Sequence, residues 1–248
     1  YFMFISERKI SGELSFLRAL SFRSRLLEKD AKKLSVLERG FLGECIYDDV
    51  FDEVGHSSLL VFRDLYLEIE ESIAQYDTLI VSDGEIVVNE IKNFSGFYRF
   101  ENGSWYKNDY RVPENPEAQL TRSVNKLRRL SYSSRLDFEV SGKLIFPHIE
   151  FRLHSDKREL WDFVVLRSGL KDYLKGFKNS YAGSHAEKIA DAVSGCVVKN
   201  PYFNRSAEFE SVKKGLYCGD CGSFELSSDH FYMKCCHCGS LEKKETHL

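Results

Sequence analysis

The spacing of apolar positions divides the chain into segments of different character. The first 55 residues contain no proline and mix apolar with charged positions through "LSFLRALSFRSRLLEKDAKKLSVLERGFLGECIYDDVFDEV". Leu34, Leu37 and Phe41 recur at helical spacing and Glu44 continues the same stripe, which predicts an amphipathic helix. Over residues 58–107 the pattern changes to short runs rich in Val, Ile, Phe and Tyr, punctuated by "SDG" and "ENG" turns. "VPENPEAQLTRSVNKLRRL" returns to helical spacing, with Pro116 in its first turn. A second strand group follows in "LDFEVSGKLIFPHIEFRL" and "WDFVVL", then helices near 170–177 and 185–196. The order of helix, strands, helix, strands and helices predicts an α/β fold, a mixed sheet flanked by helices. The boundaries read as a helical segment over 1–35, a main domain over 36–197, a connection over 198–214 and a cysteine-rich module over 215–248.

One hairpin carries charges where the pattern is otherwise apolar. Asp83-Gly84 predicts a two-residue turn of type I′, which needs positive φ at both central positions. Counting outward from that turn sets Ser82 against Glu85, Val81 against Ile86 and Thr78 against Asn89, and brings Asp77 opposite Glu90. Directly opposed residues share a face with Cβ atoms about 5 Å apart, and like charges placed there repel. Lys92 shares the face of Glu90 by the two-residue period, as do the apolar Ile86 and Val88. Two carboxylates and an amine thus converge at the end of a buried hairpin, where an unpartnered charge is costly. A divalent cation would relieve the repulsion, and Mg²⁺ or Mn²⁺ prefers such all-oxygen ligands. The same spacing is also met by a solvated strand end or a salt bridge.

The helix after Pro116 has a second face. Leu120, Val124 and Leu127 form its apolar side, while Gln119, Arg122, Lys126 and Arg129 repeat on another. Such a basic stripe suits a phosphate backbone contacted without base readout, although a solvated helix face has the same composition.

Composition adds limits. The 248 residues have a formal net charge of −3, so any nucleic-acid surface would be a local patch. No apolar run reaches the length of a membrane span, and the opening "YFMFI" lacks the basic flank and cleavage site of a signal peptide. Five of the seven cysteines fall between Cys218 and Cys238, which points to metal and a reducing, cytoplasmic setting rather than to a disulfide scaffold. Cys218/Cys221 and Cys235/Cys238 form two Cys-x-x-Cys pairs, each followed by Gly. This is the spacing of a zinc ribbon with a structural Cys₄ zinc. Cys236 and His237 lie within the second knuckle, but the two-residue spacing favours Cys235 and Cys238 as ligands. The ribbon is open to nucleic-acid contact, to a protein partner or to homo-oligomerisation.

Taken together, "ERGFLGE", "QYDTLIVSDGEIVVNEIKNFSG", the Trp of "NGSWYK" and "NPEAQLTRSVNKLRRL" occur in an order that resembles the nuclease-related domain (NERD) family, over roughly residues 37–130. That family is placed in the PD-(D/E)XK nuclease superfamily, whose members cut phosphodiesters with divalent metal. The resemblance implies a PD-(D/E)XK-type sheet, with Asp77 as the metal aspartate and Glu90 with Lys92 as the E-x-K pair. It further implies Glu44 as the acid of the first helix and Gln119 as the polar residue of the later helix. "QYD" and "NEIKNFSG" depart slightly from the usual family pattern but keep the acids and the lysine. The expectation is a DNase using Mg²⁺ or Mn²⁺. An RNase or structure-specific enzyme of the same chemistry, and a non-cleaving nucleic-acid- or partner-binding module on the same fold, are the alternatives.

Overall fold

The structure is a computed structural model that describes residues 6–55, 58–207, 209–228 and 230–244; the apolar opening at 1–5 lies outside them. Its contacts form two units, residues 1–9 with 39–201 and residues 10–38 with 202–248.

The first unit is built on a six-stranded mixed sheet. Its strands are β1 (Leu60–Ile69), β2 (Ser72–Ser82), β3 (Glu85–Ile91), β7 (Glu139–Phe146), β9 (Val164–Leu166) and β10 (Val197–Val198), in the order β10-β1-β2-β3-β7-β9. β1, β2 and β3 pair antiparallel, whereas β7 runs parallel to both β3 and β9. β3 is buried over Ile86 to Ile91, as a central strand covered on both faces must be. A smaller sheet joins β4 (Gly96–Glu101), β5 (Ser104–Lys107), β6 (Tyr110–Arg111) and β8 (Phe151–His154).

Strand alternation sends the core to two sides. Leu79, Val81, Ile86, Val88 and Leu144 pack with Leu120, Val124, Leu127 and Leu130 of α3 (Pro116–Ser134) and with Ile189 and Val193 of α5 (Ser184–Gly195). Ile80, Val87, Ile91 and Ile145 pack instead with Tyr47, Val50 and Phe51 of α2 (Glu28–Val54) and with Leu170 and Leu174 of α4 (Arg167–Lys175). The result is the expected sheet between helical layers. α3 begins where its sequence indicates: the Asn115 side chain accepts from the Glu117 and Ala118 amides, and Pro116 occupies the first turn.

The β2–β3 register is the one counted from the turn, from Ser82 against Glu85 to Thr78 against Asn89. The turn type differs. Gly84 has a φ of 83°, but Asp83 is not among the positive-φ residues, so the turn is not type I′. Asp83 has other partners that fix its backbone. Its Oδ1 accepts from the Gly183 and Ala186 amides at 2.9 Å, and its own amide donates to Tyr181 O. Turns with two positive φ values lie elsewhere: Glu70 and Glu71, at 49° and 60°, join β1 to β2, and Asn102 and Gly103, at 49° and 73°, join β4 to β5.

In the second unit, α1 (Gly12–Arg23) is capped by Ser11 and buries Leu14 and Leu17. The strands β11 (Leu226–Ser228), β12 (Tyr232–Cys235) and β13 (Leu241–Lys243) form a three-stranded antiparallel sheet. Phe22 of α1 packs on Tyr217 at 5.2 Å, and buried Asp30 pairs with Arg205 at 2.8 Å. Segments near the two ends of the sequence are thus joined in one unit. Gly222 is required where they meet: its φ is 70°, and a Cβ there would lie 2.0 Å from Phe22 Cδ1.

Candidate metal and catalytic site

Glu90 is 2% exposed and points to the face shared with Ile86 and Val88. Its Oε1 accepts from Lys92 Nζ at 2.8 Å and from Gln119 Nε2 at 2.6 Å. Lys92 Nζ also donates to Gln119 Oε1 at 3.0 Å, which closes a triangle of three side chains. Two backbone features hold it. The Lys92 amide donates to Ile145 O, extending the β3–β7 ladder one residue past Ile91, and the capped start of α3 places Gln119 in its first turn.

Asp77 lies one residue beyond the Thr78–Asn89 pair and is half-buried. Its Oδ2 accepts from the Ile91 amide at 2.7 Å, so the carboxylate caps the end of β3. Glu44 reaches the same region from α2 and is ion-paired to Arg8, Nη1 to Oε2, at 2.6 Å. Arg8 also binds Asp48 through Nε at 2.7 Å, and Arg63 Nε lies 3.2 Å from the other Asp48 oxygen. Arg63 Nη2 then reaches Asp52 at 2.5 Å.

Of the five residues expected at the catalytic centre, Glu90, Lys92 and Gln119 meet in one side-chain triangle at the end of β3, Asp77 caps that strand end from the middle of β2, and Glu44 reaches the Asp77 carbonyl only through Arg8. Asp48 and Arg8 were not anticipated. Asp48 had a signal, an acid four residues after Glu44 on the sheet-facing stripe of α2. Arg8 had none, because its partners are 36 to 70 residues away.

The network holds five carboxylates (Glu44, Asp48, Asp52, Asp77 and Glu90) against three cations (Arg8, Arg63 and Lys92), a formal charge of −2. Burial, then the charge of Asp77, pushes Glu90 up to about 7 and Glu44 up to about 8, from an ordinary 4.5. Burial likewise raises Asp77. It pulls Lys92 down, but the Glu90 and Asp77 charges outweigh it and hold the amine above its ordinary value. The sign for stability follows from the raised acids. The folded chain binds their protons more tightly than the unfolded chain, so the contribution is present below about pH 4.5 and lost as pH rises through 7 to 8. Without divalent metal, the melting temperature is expected to fall across that window. Mn²⁺ should raise it more at pH 8 than at pH 5.5; calorimetry at both values checks this, and equal gains would contradict the electrostatic account.

The donors fit a hard divalent cation in chemistry: carboxylate oxygens in a buried group with excess formal negative charge. Each carboxylate also has a protein partner. Among the described residues the four cysteines are the only group of three or more possible ligands whose donor atoms all lie within 4.8 Å of one another.

The expected basic stripe on α3 is partly engaged. Lys126 Nζ donates to Ile73 O at 3.1 Å and Arg129 pairs with Glu70 at 3.3 Å, while Arg122 is exposed.

Residues 39–147 match the family model of the nuclease-related domain. This part of the chain is a nuclease-related domain. Neither curated proteins nor solved structures gave a match to the chain. The nuclease-related domain takes in Glu44, Asp77, Glu90, Lys92 and Gln119, and also Asp48 and Arg63. Arg8 stands outside it in sequence and inside its ion network in space.

The cysteine cluster forms a separate site. Cys218 Sγ lies 3.6 Å from Cys238 Sγ, and Cys221 Sγ lies 3.5 Å from Cys235 Sγ. A tetrahedron with Zn–S bonds of ~2.3 Å has edges of about 3.8 Å, so four thiolates could hold Zn²⁺ here with little adjustment. The two knuckles repeat one turn. Gly222 N donates to Cys218 O and Gly239 N to Cys235 O, while the Cys218 and Cys235 amides donate to Ser223 O and Ser240 O. The His237 and Cys238 amides approach Cys235 Sγ at 3.4 and 3.5 Å. Exposed Cys236 lies outside the cluster. Among the described residues no helix is long and apolar enough to cross a membrane.

Proposed function

We propose that the protein is a metal-dependent nuclease that hydrolyses phosphodiester bonds in DNA, with Asp77 and Glu90 holding Mg²⁺ or Mn²⁺. The observation that carries this reading is the closed Glu90–Lys92–Gln119 triangle beside Asp77 within a nuclease-related domain. The cation would lower the pKa of a bound water and offset charge on the scissile phosphate. Lys92 supplies a donor for the attacking water or a phosphate oxygen; its paired carboxylates keep it protonated. Gln119 orients both Lys92 and Glu90. Glu44 anchors Arg8 beside Asp77. Arg122, Lys126 and Arg129 would contact the DNA backbone, with Lys126 and Arg129 exchanging their present partners for phosphate. Zn²⁺ on Cys218, Cys221, Cys235 and Cys238 is structural, and the ribbon offers a surface for a protein partner or a second copy. The clustered thiols favour a reducing, cytoplasmic setting.

The test is cleavage of plasmid DNA, linear DNA and RNA of the same sequence with Mg²⁺, Mn²⁺ or EDTA, by the parent chain and by Asp77→Asn. DNA products are expected only with metal and only from the parent. Cleavage in EDTA, or undiminished cleavage by the variant, overturns the mechanism. Salt-dependent DNA binding with no products under any metal would mark a binding module instead.

A further inference from the structure

Arg8 is the most enclosed cation of the acidic network, with its side chain 4% exposed. Its guanidinium donates to Glu44 Oε2 at 2.6 Å, to Asp48 Oδ2 and Oδ1 at 2.7 and 3.4 Å, to Asp77 O at 3.0 Å and to Thr78 Oγ1 at 3.2 Å. One group thus ties α2 to the middle of β2, at the residue whose carboxylate caps the end of β3. Its charge cannot be removed by deprotonation, since an arginine stays protonated in proteins. Hydrolysis by two metal ions needs carboxylates to hold cations ~3.5–4 Å apart. Glu44 would be the acid available for a second ion, yet a fixed positive charge already sits on it.

We propose that Arg8 is the resident cation of this site: it holds Glu44 out of metal coordination, so that the centre takes a single divalent ion on Asp77 and Glu90. The inference rests on the metal-centre reading above. Arg8 acts through Glu44 and Asp77 and is a positioning residue. Lysine keeps the charge but not the fork; glutamine keeps much of the length without the charge. The role assigned to Arg8 therefore separates these two substitutions, whereas a purely packing role would not.

The test counts bound Mn²⁺ by electron paramagnetic resonance on the zinc-loaded full chain at neutral pH. The parent and Arg8→Lys should each bind one ion, and Arg8→Gln should bind two. Glu44→Gln should still bind one, with affinity within about threefold of the parent, because Glu44 is not a ligand. Loss of a true ligand would cost far more than tenfold, since even outer partners of a metal site are worth ~10–100-fold. One ion in Arg8→Gln overturns the proposal, as do two in the parent or a tenfold loss of affinity in Glu44→Gln. If Arg8→Gln does not fold, Glu44→Gln decides. A parent that binds no Mn²⁺ overturns the metal-centre reading, and the proposal with it; the other adverse results overturn the proposal alone.

Discussion

Replacing Lys92 by Met is expected to lower metal-dependent DNA cleavage by ~10²–10⁴-fold, the usual contribution of a positioned proton-transfer or charge-stabilising group. The fold should survive. Removing one member of a buried ion pair commonly costs about 3–5 kcal/mol, because the other charge is stranded. Here the stranded group is Glu90, which burial and Asp77 already push up to about 7. Without the lysine it takes up a proton near neutral pH instead of remaining as an unpaired anion, and Gln119 Nε2 still donates to it. Met keeps an apolar stem at a side chain that is only 17% exposed. The variant should therefore melt close to the parent while single-turnover cleavage collapses. Arginine should not restore the rate, since its planar fork does not reproduce a compact ammonium within the triangle. Cleavage by the Met variant within threefold of the parent would remove Lys92 from the mechanism.

The part of this site legible in the sequence is the part set by local rules. A two-residue loop at Asp83-Gly84 and strict alternation fix the β2–β3 register whatever the turn type. That is why the type I′ expectation could fail while the pairing stood. Which way Asp83 would turn depended on the amides of Gly183 and Ala186, about a hundred residues away, and no local pattern reports them. α3 was legible from its cap and its apolar stripe, whereas the partners of its basic face were not. Lys126 finds a carbonyl on β2 and Arg129 an acid after β1, contacts set by how the helix lies on the sheet. Arg8 is the extreme case. It sits in a short segment without periodicity, and its importance comes only from the acids that three-dimensional packing brings around it.

Removing zinc should have the largest structural effect on the chain. The three strands of the cysteine module are three, four and three residues long, too short to support a sheet by their own burial. In this sheet Cys235 is a buried residue of β12, and Met233 and Leu226 are only half-buried, so four thiolates stand where a core would be. Structural zinc in small modules binds with an apparent ~10–16 kcal/mol at neutral pH, and that free energy is folding free energy. Chelation with a strong zinc ligand, or Cys221→Ser, is expected to abolish hydrogen-exchange protection across β11, β12 and β13. The amides of β2 and β3 should keep theirs, because the clusters that bury those strands contain no residue of the module. Cys236→Ser should leave both sets unchanged, since Cys236 lies outside the four-thiolate cluster. Protection retained in β12 after complete zinc removal would show that the module folds without metal. Protection lost on Cys236→Ser would reassign the ligand set within the second knuckle.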